Sequence, residues 1–214
     1  MNSRTLKVAL AIAASGLAGV VLYSFLARPK PLEEARLPRA EATGTAFSSF
    51  GPTNSYIDVS GWSAGTNAHA EWFVAGVSGS LAAIEIALEP NYVRKGREGT
   101  AGNATVSIAL DTNGFPGAVL EHFSIVADAP SAPPPPLPLV LRSGVRPRLE
   151  AGAKYWLCAG CAGPRGWIWR DNNQGLMRVS AREREPGSWA SAGNGRNGAF
   201  RITVAEELED TPQR

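Results

Sequence analysis

The chain is poor in the residues that carry most enzyme chemistry. It has two cysteines, Cys158 and Cys161, and two histidines, His69 and His122, among 214 residues. A disulfide-built scaffold needs more cysteines than that. A four-ligand zinc site would have to recruit both histidines to the one cysteine pair. One serine, Ser63, sits in a G-x-S-x-G string (Gly61-Trp62-Ser63-Ala64-Gly65), but the chain after it reads as a strand and not as the helix a nucleophile elbow needs. Glu121-His122 is a local acid–histidine pair with no nucleophile motif around it. No pair of carboxylates stands out as a glycosidase couple. Long runs of helix-forming residues are scarce as well. These shortages argue against an enzyme and against a helical bundle, leaving a hydrolase as a remote alternative.

Charge is also nearly balanced where it matters. Residues 1–44 hold six basic residues against three acidic ones, and residues 45–214 hold fifteen against sixteen. The larger part is thus close to neutral, and a nucleic-acid partner is not expected.

Turn formers, by contrast, are abundant, with 23 glycines and 16 prolines. This favours many short strands joined by turns. One long apolar run exists. Residues 1–7 are basic, with Arg4 and Lys7, and residues 8–27 carry no charge before Arg28 and Lys30. A run of about 20 residues in a helix spans about 30 Å, the hydrocarbon thickness of a bilayer. It is expected to be a signal-anchor helix or a signal-peptide helix. Phe25 two residues before Ala27 makes a poor small-x-small cleavage site, and Ala40-Glu41-Ala42 lies too far downstream. No cysteine follows the run, so a lipid-modified cysteine is not expected. The membrane is thus an expected partner through residues 8–27. The domain is expected outside the cytoplasm, in the periplasm or at the cell surface, or secreted if the signal is cleaved.

Residues 28–44 mix proline, alanine and charge without a period and read as a linker. Residues 45–205 read as the folded domain, and residues 206–214 as an acidic tail. Within the domain, alternation predicts strands over 70–76, 81–88, 104–110, 118–126, 155–157, 166–170, 176–181 and 198–204, with shorter pieces at 139–141 and 188–190. Val106, Ile108 and Leu110 are expected inward, as are Ile84, Ile86 and Leu88, with a short helix the alternative for 81–88. Four consecutive prolines within residues 128–138 predict an extended surface stretch. The fold class is all-β: a jelly-roll-like antiparallel β-sandwich preceded by one N-terminal transmembrane or signal helix.

The central mark is Asp111-x-x-Gly114-x-Pro116-Gly117, a turn between two regular strands. It follows a Trp72-Phe73 strand and the LAAIEIAL strand. Leu149-x-Ala-Gly-Ala-Lys-Tyr155-Trp156-Leu157, Trp167-x-Trp169, Gly175, Trp189 and the closing Ala199-to-Val204 strand come after it. Over about residues 65–205 this order resembles the choice-of-anchor bacterial surface domains, in particular the R-like subgroup. The resemblance implies a noncatalytic exported sandwich with a cell-surface structural or interaction role, and no settled ligand. Residues 205–214 carry no sorting tail, which would leave anchoring to residues 8–27.

Three site candidates arise from the residues themselves. Asp111 and Asn113 offer oxygen ligands for calcium, or else they tie the backbone of a tight turn. Cys158 and Cys161 form a C-x-x-C. The glycines and Pro164 that follow are hostile to the helix a redox pair would need, so a local disulfide across a turn is expected. Trp62, Trp72, Trp167, Trp169 and Trp189 offer a sugar-stacking platform. Trp167, Trp169, Arg170, Asp171, Asn172 and Asn173 crowd one loop end. A glycan or surface partner is the ligand this platform implies; burial of the same rings as core is the alternative.

Overall fold

The computed structural model describes residues 43–91, 102–126, 137–161 and 166–205. The expected N-terminal helix, the linker up to residue 42, the run of four prolines and the acidic tail lie outside them; Thr43 and Gly44, expected as the end of the linker, instead begin the first strand. Among the described residues the fold is all-β and sandwich-like, and its strands pair antiparallel throughout. The strands are β1 (Thr43–Ser48), β2 (Tyr56–Ala64), β3 (His69–Val74), β4 (Gly79–Ile86), β5 (Leu88–Pro90), β6 (Ala104–Thr112) and β7 (Phe115–Ile125). Then follow β8 (Leu139–Arg142), β9 (Arg148–Leu149), β10 (Lys154–Cys161), β11 (Trp167–Asn172), β12 (Met177–Glu185), β13 (Ser188–Arg196) and β14 (Phe200–Ala205).

A six-stranded sheet runs β13-β12-β3-β10-β6-β7. A second sheet runs β1-β14-β4-β8, with β9 also on β4, and a small third runs β2-β11-β5. The second and third join through backbone hydrogen bonds. Ala87 N–H donates to Ala199 O, Arg170 N–H to Ala87 O, and Ala199 N–H to Arg170 O. Residues 81–88, expected as one strand, therefore split at Ala87, where the chain passes from β4 to β5. The alternation still places Ile84, Ile86 and Leu88 inside.

The main core lies on the inner face of the six-stranded sheet. Phe73, Val106, Ile108, Tyr155 and Leu157 meet Leu81, Ile86, Phe200, Ile202 and Val204 there. Strand alternation puts the other residues of β3, β10 and β6 on the outer face. Ala70, Ala109, Trp156 and Cys158 form a second apolar cluster on that side, with Trp72, Phe115 and Trp189 packed on it. Leu110 departs from expectation: it is 41% exposed. Its alternation is intact, since it lies opposite core Tyr155 in an unshifted β6–β10 ladder; the extra residues of the β6–β7 register shifts on both sides of Ala109 fall on β7.

The Asp111 turn is tighter than its sequence implies. β6 continues to Thr112 and β7 begins at Phe115, so the loop is Asn113-Gly114 alone. Both residues have positive φ, 54° and 85°. This is the Asn-Gly pair that a two-residue hairpin with right-handed strand twist requires.

Candidate functional site

The strand edges around β2, β3, β12 and β13 enclose a cavity of about 530 Å³. Trp62 and Ser63 reach it from the end of β2, Asn67 from the β2–β3 turn and His69 from the start of β3. Arg182 and Arg184 come from β12, and Ser191 and Ala192 from β13. Antiparallel pairing of Arg182 with His69 on one side and Ala190 on the other fixes this arrangement.

One wall is built with care. The Trp62 ring stacks on His69 with centroids 4.4 Å apart, and Trp62 Nε1–H donates to Arg196 O at 2.7 Å. His69 Nε2 lies 2.9 Å from Glu71 Oε1. His69 and Glu71 alternate to the inner face of β3 and are 2% and 1% exposed. Burial pushes the Glu71 carboxyl above its ordinary range, partly offset by His69 and the Gly198 backbone. The opposite wall is cationic, since Arg182 and Arg184 are exposed. Neither guanidinium makes an ion pair among the described residues. The lining includes no carboxylate.

No family model, curated protein or solved structure matches this chain. The cavity must therefore be interpreted from its own chemistry. Its volume is that of a small-ligand site. It offers hydroxyl and amide groups that both donate and accept, an aromatic wall and two fixed cations. His69 Nε2 is bonded to Glu71, and among the described residues Ser63 makes no hydrogen bond to the His69 ring that would activate it as a nucleophile.

The tryptophan platform expected at residues 167–173 is not at the surface. Trp167 and Trp169 do share one face of β11, but that face is the core side, and the rings are 1% and 0% exposed. Their indole N–H groups donate inward, Trp167 to Gly102 O at 2.8 Å and Trp169 to Ala199 O at 3.2 Å. Arg170 is buried and pairs with Glu89. Asp171 accepts from Ser60 Oγ at 2.5 Å, and Asn172 Nδ2–H donates to Leu176 O and Asn197 O. Only Asn173 is exposed, and its amide donates to Ser55 Oγ at 2.7 Å. These polar groups hold loops together.

The other candidates resolve in the same way. Asp111 Oδ1 receives the Trp156 indole N–H at 2.7 Å and the Lys154 ammonium at 2.9 Å, while the Gly114 amide approaches Oδ2 at 3.3 Å. Burial works to raise Asp111, yet these donors together hold it below the usual carboxylate range. The ammonium and the indole N–H thus share Oδ1, one of the two carboxylate oxygens calcium would draw on. No group of three His, Cys, Asp or Glu suited to a metal occurs among the described residues. The donor set does not fit calcium.

The disulfide is also corrected, since Cys158 and Cys161 are not joined. Three residues apart on β10, they point to opposite faces, Cys158 into the outer cluster and Cys161 into the main core. Three strand residues span about 10 Å, beyond disulfide reach. Cys158 lines a second cavity of about 320 Å³, and burial pushes its thiol up to about 12. Glu121 is a loop anchor, accepting from the Ser143 hydroxyl and the Gly144 and Val145 amides.

Sequence reasoning missed Arg182, Arg184 and Asn67, and considered His69 only as a zinc ligand. A signal was present. Arg182-Glu183-Arg184-Glu185 alternates with period two, which places both arginines on one side of a strand.

Proposed function

We propose that the chain is an exported binding module. A jelly-roll-like sandwich is tethered by residues 8–27 and presents a ligand cavity outside the cytoplasm. Its role is noncatalytic recognition at the cell surface, in keeping with the resemblance to choice-of-anchor domains. The observation that carries this reading is the cavity of about 530 Å³ at Trp62, with polar and cationic lining. Carbohydrate remains the favoured ligand type, moved from Trp167 and Trp169 to Trp62. Sugars need an apolar wall beside groups that donate and accept, and this lining combines them.

The test has two arms. Protease added to intact cells should cleave the domain without lysis, and a domain cut only after lysis would contradict display at the cell surface. On a glycan array, the full chain should bind at least one glycan and Ser191→Trp, which fills the cavity, should not. An array that stays silent, or binding that survives the filled cavity, would overturn the recognition reading.

A further inference from the structure

Resting on the reading that this cavity is a binding site, we propose that it takes an acidic sugar, a pyranose ring bearing a carboxylate. Arg182 and Arg184 hold the carboxylate, and Ser63, Asn67 and Ser191 bond the ring hydroxyls.

The charge pattern comes first. Two guanidiniums reach the same cavity with no acidic residue in its lining and no ion pair of their own among the described residues. Side by side they repel each other, and an anion between them turns that repulsion into attraction. A guanidinium presents a planar fork that matches a carboxylate with two parallel hydrogen bonds.

The neutral groups then favour a sugar over a bare anion. Inorganic phosphate mostly accepts hydrogen bonds, and its needs end at the arginines. Ser63, Asn67 and Ser191 supply both donors and acceptors, which suits hydroxyls that do the same. Trp62 and Ala192 give the lining an apolar part against which ring C–H groups can pack. Trp62 is fixed for this purpose, stacked on His69 and bonded to Arg196 O. A fixed wall lowers the ordering cost of binding.

The test is calorimetric titration of the full chain with galacturonate, glucuronate and mannuronate trisaccharides, their methyl esters, and inorganic phosphate. At least one acidic trisaccharide should bind, and its ester should bind about tenfold or more weakly, the loss expected for one charged hydrogen-bonded pair. Arg182→Ala and Arg184→Ala should weaken it similarly. Arg182→Lys should restore part of the affinity, since it keeps the charge but not the fork. Asn67→Ala should weaken sugar binding and leave phosphate unaffected. Added salt should lower affinity, because both arginines are exposed. Equal binding of acid and ester would overturn the proposal. So would silence from every acidic trisaccharide, or phosphate binding as tightly as the sugar. If array binding is nevertheless abolished by Ser191→Trp, the cavity reading stands and only the acidic-sugar assignment falls. Array binding indifferent to Ser191→Trp defeats both.

Discussion

Glu71 points inward from β3 with Oε1 bonded to His69 and Oε2 without a hydrogen-bond partner. The charged or titratable groups around it are His69, Asp171 and Arg178. Burial dominates and raises its pKa above the ordinary 4.5. A raised carboxyl is neutral in both states below 4.5, so stability is unaffected there. As pH climbs, the unfolded chain ionises first, and folding loses stability until the folded pKa is passed. Glu71→Gln removes this loss and can keep the bond to His69. Melting curves of the two chains should therefore coincide near pH 4 and separate as pH rises. The variant should be the more stable by about 1–3 kcal/mol at high pH, the cost of an unsatisfied buried group. A variant less stable at every pH would mean that attraction between Glu71 and a protonated His69 outweighs burial.

At the scale of elements, two glycines separate conformation from close approach. Gly114 has a φ of 85° with open space around it, so alanine there meets only backbone strain. Gly198 sits against Trp169, where an added Cβ would fall 2.4 Å from the indole Nε1 and Cε2. Trp169 is fully buried and cannot yield. In denaturant titrations Gly114→Ala should cost about 1 kcal/mol, and Gly198→Ala about 2–3 kcal/mol or more. The opposite order would show that β14 moves away from β11 at little cost. The same elements show what the sequence could convey. Strong alternation in β4, β6 and β14 was legible because one face of each is core. β13 (SWASAGNGR) was expected only over residues 188–190, because it is small, polar and half-exposed. It owes its length to the ladder with β12, a partner that no local pattern names. Likewise Trp167-x-Trp169 told that the rings share a face, but not which side of the sheet that face meets. The site was split among four strands, so only the Arg182–Arg184 alternation was visible locally.

For the whole molecule, the six-stranded sheet is apolar on both sides, and the two cysteines sample the two sides. Cys158 lies in the outer cluster and is 6% exposed; Cys161 lies in the main core and is 7% exposed. Burial raises both thiols, Cys158 to about 12. At pH 8 the thiolate of a pKa 12 group is roughly one part in ten thousand, and the thiolate is the reacting species. Reaction must then await opening of the fold. If both faces of the sheet open together, the two cysteines should be alkylated at one shared rate. Gly198→Ala should speed both equally, because it lowers the stability of the common unit. Alkylation timed by mass spectrometry, with full denaturation as the reference for two thiols, measures this directly. Faster labelling of Cys158 alone would show that the outer cluster opens by itself, as an independently unfolding layer. An intact Cys158–Cys161 disulfide in the native chain would require β10 to leave its extended form. That would break its ladders with β3 and β6, and with them the sheet that carries the cavity wall.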